Sequence, residues 1–422
     1  MEKVENITEP ERAVIAGLAA DSMDPHERST EESLDELEAL LETAGGVCLG
    51  RALQKRGTPE PRTFIGEGKV AELKEIAQQN ECTLAVFDNE LSPSQMRALA
   101  EDLDLRVIDR SSLILDIFAG RARTREGRLQ VELAQYKYLL PRLTGMWKHL
   151  TSQTGTSAPI GTRGPGETQL ESDRRHIRRK IQKLEEELSE VIRVRDTQRR
   201  LREKNSVPVV ALVGYTNAGK STLLNTLTDA GIQAENRLFD TLDTTTRRMD
   251  VSDTLEALVS DTVGFIRKLP HHLIEAFKAT LEELTYADLL LHVIDASSAE
   301  REEQARVVDE IITQLGADKI PRLNVFNKCD IFTDDIRAHD ENTVEISAKT
   351  GQGIDALLAK IEEILSSVRK KVTLRLPYDK AGLAEAVHRE GAVRETRYLE
   401  ECIEIDAVLG PELYGRMREY VS

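Results

Sequence analysis

Along the first 125 residues, short continuous apolar runs alternate with stretches of helical spacing. Val14–Leu18, Val47–Leu53, Leu84–Phe87 and Arg106–Ile108 read as strands, and Ser33–Thr43, Gly68–Gln79 and Ser92–Leu103 as helices. Strands separated by helices favour an α/β layer with a largely parallel sheet. Ser33 and Ser92 each have Glu36 or Gln95 three residues on, the spacing of a capping box, and are expected as N-caps. From about residue 126 the pattern changes. Leu129, Leu133, Tyr136, Leu140 and Leu143 are spaced four, three, four and three apart, and Ile177, Ile181, Leu184, Leu188 and Val191 repeat that spacing. Two such seams predict an antiparallel helical hairpin, with Pro141 kinking or ending its first helix. The connection Thr144–Leu170, rich in Gly, Thr, Ser and Pro, is long enough to suggest a functional loop.

After residue 206, Val207–Val213 reads as a strand running into a glycine loop and then a helix. Further apolar runs follow at Leu255–Ser260, Leu289–Ile294, Leu323–Phe326 and Val344–Ile346. This is the pattern of a doubly wound α/β domain with ligands at the carboxyl ends of its strands. The tail offers a strand at Val372–Leu376, a helix at Lys380–His388 and strands around Tyr398–Val408. The expected division is an N-terminal α/β domain (1–125), a basic helical hairpin (126–205), a nucleotide-binding domain (206–370) and a small α+β domain (371–422).

Length and composition sharpen this picture. The chain has 422 residues, 40% hydrophobic and 31% charged, which suits several folded domains. No apolar run approaches the roughly 20 residues of a membrane span. The acidic start MEKVENITEPER is unlike a secretory signal. The four cysteines are far apart and form no CxxC pair, which argues against disulfide, zinc and iron–sulfur scaffolds and for a reducing cytoplasm. The net charge is −17, yet residues 121–205 carry 20 basic against 11 acidic side chains. A basic block on an acidic chain points to one phosphate-meeting surface.

The chemistry lies in motifs at strand ends. Gly214-Tyr215-Thr216-Asn217-Ala218-Gly219-Lys220-Ser221 matches GxxxxGK[ST] between a strand and a helix. Its backbone N–H groups can wrap phosphates, Lys220 can reach the β- and γ-phosphates, and the Ser221 hydroxyl can ligate Mg²⁺. Asp261-Thr262-Val263-Gly264 can hold Mg²⁺ through water and bond the γ-phosphate from the Gly264 N–H. In Asn327-Lys328-Cys329-Asp330 the last carboxylate can accept from guanine N1–H and its 2-amino group. Adenine offers neither donor. Ser347-Ala348-Lys349 can donate a backbone N–H to the guanine oxygen. The four motifs in this order predict GTP binding. A switch I segment is expected in Phe239-Asp240-Thr241-Leu242-Asp243 and the following threonines. Thr241 is the chosen Mg²⁺ ligand; Thr244, Thr245 and Thr246 compete, and a Thr-rich strand at the sheet edge is the bland alternative. Phe265 stands where many GTPases have a water-positioning Gln, so the catalytic group is open and slow intrinsic hydrolysis is expected. Lys220 and Asn217 are candidates for transition-state support, Asn217 through a K⁺ ion.

With these motifs in place the chain resembles the HflX family of GTPases, close to the Obg group. The resemblance rests also on Phe64-Ile-Gly-Glu-Gly-Lys69, Phe87-Asp-Asn-Glu-Leu-Ser-Pro-Ser-Gln95, Asp109-Arg-Ser-Ser-Leu-Ile-Leu-Asp-Ile-Phe118, Gln130-Val-Glu-Leu-Ala134 and Gly161-Thr-Arg-Gly-Pro-Gly-Glu-Thr-Gln-Leu-Glu171. It implies a protein that binds the large ribosomal subunit and, with GTP, separates, rescues or recycles ribosomes, often under stress. It implies an N-terminal domain and helical linker that reach ribosomal RNA, and Thr241 as the switch I ligand of Mg²⁺. Asp240 and Thr244 depart from the Ala and Pro usual in the family.

The residues themselves point the same way. Arg163, Arg174, Arg175, Arg178, Arg179 and Lys180 cluster at the loop and the start of the second hairpin helix, suited to RNA phosphate. Tyr136, Tyr138 and Trp147 lie near the same tip and can stack on bases. The competing readings are a solvated charged helix, hairpin core and a loop anchor. The function expected is a ribosome-associated, monomeric GTPase. The alternative is a GTP-dependent signalling switch whose hairpin binds a protein partner; a P-loop ATPase is opposed by Asn327–Asp330.

Overall fold

The computed structural model describes residues 10–152, 169–203, 207–228, 238–239, 245–252, 255–269, 273, 277, 281–331, 342–368, 370–399, 401–409 and 411–422. The chain divides into two compact units. The first comprises Met1–Leu188, Asn236–Leu242 and Arg267–Phe277; the second comprises Ser189–Glu235, Asp243–Ile266 and Lys278–Ser422.

The first unit begins with β1 (Glu11–Ala20), α1 (Glu31–Thr43), β2 (Gly46–Arg56), α2 (Glu67–Gln79), β3 (Leu84–Phe87), α3 (Pro93–Leu103), β4 (Arg106–Asp109) and α4 (Arg110–Arg121). Its four strands are parallel in the order β2-β1-β3-β4. The continuous apolar runs have this cause: β1 and β3 are covered on both faces and bury residues of either parity. Ser92 caps α3 in a full capping box with Gln95. The cap of α1 differs from expectation. Thr30 is the N-cap, and Ser33 is its reciprocal partner at the third helical position. A hydroxyl can close the box where a longer Glu or Gln was sought. Helix α4 is not predicted by the sequence pattern, because Leu113, Ile114, Leu115, Ile117 and Phe118 make a nearly continuous apolar run and its open stripe, Ser112, Asp116, Ala119 and Gly120, carries only two polar residues. Asp109 caps it, accepting from the Ser112 N–H at 3.0 Å.

Two long helices follow, α5 (Arg125–Ser152) and α6 (Gln169–Glu203). Pro141 does not end α5, which continues eleven residues beyond it. The helices thus claim both ends of the expected loop; residues 153–168 lie outside the described residues. The seam positions Leu129, Leu133 and Leu143 on α5, and Ile177, Leu184 and Leu188 on α6, are buried. The buried face of α5 is wider than a seam, adding Val131, Ala134 and Tyr138, since α5 also packs on α3 and α4. Ion pairs Lys137–Glu185 (2.9 Å) and Lys180–Glu132 (3.1 Å) join the two helices.

The second unit contains β5 (Val209–Gly214), α7 (Lys220–Thr228), β6 (Thr245–Ser252), β7 (Leu255–Asp261), β8 (Leu289–Asp295), α8 (Arg301–Gln314), β9 (Arg322–Asn327), β10 (Thr343–Glu345) and α9 (Ile354–Val368). The sheet order is β10-β9-β8-β5-β7-β6, parallel except for the antiparallel edge strand β6. Thr245 and Thr246 open β6, so for these two the edge-strand reading holds and both leave the list of switch I candidates. The core gathers Val210, Leu212, Val259, Leu291 and Val325 from the sheet with Leu223, Leu357 and Ile361 from the helices. The tail forms β11 (Lys370–Pro377), α10 (Ala381–Glu390), β12 (Ala392–Tyr398), β13 (Cys402–Leu409) and an unanticipated α11 (Pro411–Met417). Its antiparallel sheet has the order β11-β13-β12. The molecule is therefore a multidomain α/β protein with a P-loop domain and a C-terminal antiparallel sheet. No helix among the described residues is long and apolar enough to cross a membrane.

Candidate nucleotide site

The motif residues of the second unit converge at the carboxyl ends of β5, β7 and β9 and in the loop after β10. Central strand β5 ends at Gly214, and the loop 215–219 delivers the chain into α7. Gly219 is required here: its φ is +94°, and a Cβ would lie 2.2 Å from the Asn327 amide nitrogen. Asn217, at φ +61°, is exposed on the same loop; asparagine tolerates this left-handed conformation. Lys220 is buried, with its Nζ donating to the Gly214 carbonyl (3.0 Å) and the Tyr215 carbonyl (2.8 Å). Burial lowers its pKa to about 8, against the pull of Asp261. Ser221 donates to Asp261 at 3.0 Å, which places the hydroxyl and the fully buried carboxylate side by side.

Asp261 closes β7. Thr262 then donates to the Leu212 carbonyl at 2.6 Å, tying the start of this loop to β5. Phe265 is stitched to the glycine loop by both backbone groups: its N–H donates to Gly214 (3.1 Å) and its carbonyl accepts from Thr216 (2.7 Å). Its ring is 1% exposed.

Asn327 holds two loops at once. Its amide nitrogen donates to the Ala218 carbonyl at 2.8 Å and its amide oxygen accepts from the Ala348 N–H at 2.9 Å. One side chain thus sets the glycine loop against the Ser347–Lys349 loop, and it does so fully desolvated, where such bonds are strongest. Lys328 (φ +68°) pairs with Asp295 at 2.7 Å, the Cys329 thiol faces the Phe326 carbonyl, and Asp330 is exposed. Ser347 and Ala348 are buried and Lys349 is exposed.

Phe239 belongs to the first unit. It is 2% exposed, at φ +55°, and its ring stands edge-on to Phe118 of α4 at 4.7 Å. Asp240, Thr241, Leu242, Asp243 and Thr244 lie outside the described residues.

A four-domain family assignment covers this architecture. Family models described as "GTP-binding GTPase N-terminal", "GTP-binding GTPase Middle Region", "50S ribosome-binding GTPase" and "HflX C-terminal domain" match residues 31–119, 121–202, 209–328 and 335–412. The GTPase HflX of Caldanaerobacter subterraneus is 45% identical over 97% of this chain and 94% of its own length. That of Escherichia coli is 46% identical over 88% of this chain and 87% of its own. The chain belongs to the HflX family of GTPases. It binds GTP and hydrolyses it, as its family does. Among solved structures, the GDP complex of a protein named SsGBP shares the fold, with 24% identity, TM-score 0.50, and coverage of 85% of this chain and 99% of that one.

The HflX signatures outside the nucleotide motifs also find a physical role. Asp88, from Phe87–Gln95, is fully buried in the first unit. It accepts from Ser29 Oγ (2.6 Å), Ser33 Oγ (2.8 Å) and Arg110 Nη1 (2.8 Å), and pairs with Lys268. Burial alone would raise its pKa; Arg110 and Lys268 more than offset this and hold it below the usual carboxylate value. Arg110 also pairs with Glu36. Lys268, four residues past Gly264, was not singled out in the sequence: a lone lysine carries no pattern.

The basic cluster is partly as expected. Arg175, Arg178 and Arg179 are exposed on α6 and Arg174 is half-buried, whereas Lys180 is held by Glu132 at 3.1 Å; Arg163 lies outside the described residues. Tyr138 cannot stack on a base. Its ring is buried under Arg142 at 3.5 Å, and its hydroxyl donates to Asp109 at 2.7 Å. The Trp147 side chain is outside the description.

Proposed function

We propose that this chain binds GTP with Gly214–Ser221, Asp261–Gly264, Asn327–Asp330 and Ser347–Lys349, with Phe239–Asp243 as switch I. The observation that carries this reading is the Asn327 side chain, which locks the phosphate loop and the base loop into one frame. The adjacent Ser221 hydroxyl and Asp261 carboxylate suit Mg²⁺: the hydroxyl as ligand, the carboxylate through a bound water, and Thr241 completing the set. The metal supplies charge neutralisation on the β- and γ-phosphates. Lys220 leaves its loop carbonyls for the phosphates, and exposed Asn217 supports a K⁺ ion beside them. Mg²⁺ and K⁺ are thus the proposed cofactors.

We further propose that the protein works on the large ribosomal subunit in the cytoplasm, splitting, rescuing or recycling ribosomes, and that hydrolysis is slow until the subunit binds. Support comes from the family model of a ribosome-binding GTPase over residues 209–328 and from the exposed arginines of α6. The proposed working parts follow the expected boundaries, 1–125, 126–205, 206–370 and 371–422, with the protein acting as a monomer. The deciding measurement is the steady-state GTPase rate in K⁺ buffer with and without purified large subunits. A large stimulation, abolished by Lys220→Ala or Ser221→Ala and by high salt, is expected. A rate untouched by the subunits would leave a GTP switch with a protein partner and withdraw the ribosomal role. Equal rates in K⁺ and Na⁺ would remove K⁺.

A further inference from the structure

The GTPase reaction needs a group that fixes the attacking water, and Phe265 cannot do it. Its ring is buried, and both its backbone hydrogen-bonding groups are spent on the glycine loop. Thr216 lies at the other end of one of those bonds. Its side chain is 7% exposed, and its hydroxyl has no hydrogen-bond partner among the described residues. A desolvated hydroxyl without a partner is a cost to the fold, so stability does not explain it.

The position is specific. A Cβ built on Gly264 would sit 2.9 Å from Thr216 Cγ2, 3.2 Å from Thr216 Cα and 3.1 Å from Lys220 Nζ. Thr216, the Gly264 backbone and the Lys220 ammonium therefore meet at one spot, the Thr216 methyl facing Gly264 and the hydroxyl borne on the same Cβ, where the proposed site sets the Gly264 N–H and Lys220 against the γ-phosphoryl group. Neighbouring hydroxyls are engaged elsewhere: Thr262 donates to Leu212 and Ser221 to Asp261. Ser260, also without a partner, lies inside β7 opposite Ala211 of β5. The bond from Thr216 N–H to the Phe265 carbonyl (2.7 Å) fixes the threonine backbone, as a positioning group requires.

We propose that Thr216 is a catalytic residue that does the work of the missing glutamine. Its hydroxyl accepts a hydrogen bond from the attacking water and donates one to a γ-phosphoryl oxygen. The water oxygen bonds to Pγ as the bond from Pγ to the β,γ-bridging oxygen breaks. GDP leaves with that electron pair, one water proton passes to a γ-phosphoryl oxygen, and Thr216 keeps its own. The inference rests on the GTP site proposed above and adds a residue to its chemistry.

The test compares Thr216→Val, which keeps shape and loses the hydroxyl, with Thr216→Ser, which keeps the hydroxyl and loses the methyl. Both are assayed in the full chain for kcat, KM and affinity for GDP and for GDP with aluminium fluoride, which imitates the transferring phosphoryl group. The valine variant should lose about 30- to 100-fold in kcat and in affinity for the aluminium fluoride complex. Its KM and GDP affinity should stay within about threefold of the parent, and the serine variant should match the parent within about threefold. Undiminished kcat in Thr216→Val overturns the proposal. So does a parallel loss of GDP affinity, or an equal loss in both variants, either of which makes Thr216 a packing residue of the loop. Failure of the parent itself to bind GDP would instead strike the site assignment.

Discussion

At the scale of single residues, buried polar side chains separate the ordinary from the consequential. His292 in β8 is 2% exposed, and burial, reinforced by Arg322, pushes its pKa down to about 3. The imidazole is neutral in the fold, so its 3.7 Å approach to Asp309 is not an ion pair. Unfolding returns it to an ordinary value near 6.5, so between roughly pH 6.5 and 3 the unfolded chain binds the extra proton. Stability therefore falls as pH is lowered through that window, by up to about 1.4 kcal/mol per pH unit. Urea unfolding of the second unit between pH 4 and 7 should show this slope, and His292→Leu should flatten it; an unchanged slope would assign the loss to other groups. Asp330 tests the base pocket. Asp330→Asn replaces an acceptor with a donor and should move nucleotide preference from guanosine toward xanthosine triphosphate in a competition assay. Unaltered selectivity would take Asp330 out of the base site.

At the scale of elements, helix α4 organises the first unit. Arg110 at its start joins Asp88 and Glu36, and Phe118 near its end receives Phe239 at 4.7 Å and Phe277 at 5.0 Å. Removing one side of the buried charge cluster leaves the other uncompensated. Asp88→Ala strands Lys268 in the interior and deprives Arg110 of one of its two carboxylates, and should cost about 3–5 kcal/mol. Lys268→Met leaves Asp88 with Arg110 and two serine hydroxyls and should cost clearly less. Thermal unfolding of the two variants checks the order, and a reversed order would mean that Lys268, not Asp88, holds the cluster. This charge cluster was not legible in the sequence as a unit, whereas the motifs proposed for the nucleotide site, which the fold brings together at strand ends, were. Gly214–Ser221 is contiguous, and its chemistry follows from spacing alone. Asp88, Arg110 and Lys268 are 180 residues apart at the extremes, and only folding gives them a common meaning. The same logic explains α4 and Ser33. A helix whose open stripe is partly Ala and Gly shows little polar period in the sequence, and a capping partner is defined by the turn it closes. β1 and β3, by contrast, were legible because full burial makes a strand a solid apolar run.

At the scale of the whole molecule, charge is distributed by task. The chain carries −17, yet residues 121–205 hold an excess of basic residues, with Arg175, Arg178 and Arg179 exposed along α6. If that face meets RNA phosphate, co-sedimentation with large subunits should weaken steeply between about 50 and 200 mM salt. Arg175→Glu, Arg178→Glu and Arg179→Glu together should weaken it further while leaving intrinsic GTPase activity alone. Binding indifferent to both would move the contact to another surface.

The make-up of the first unit has a consequence for how the protein is born. Its core is not a contiguous stretch of chain. The second cation on Asp88, beside Arg110, is Lys268, and the aromatic neighbours of Phe118 are Phe239 and Phe277. During synthesis the first 188 residues leave the exit tunnel long before these closing residues are made. The early polypeptide therefore waits with Asp88 held by Arg110 and two serines but lacking its lysine, and with an uncovered phenylalanine, and its native packing is completed only after residue 277 has emerged. A nascent-chain protease assay should show the protection of Phe118 arriving as a late step, well after β1–β4 have been translated.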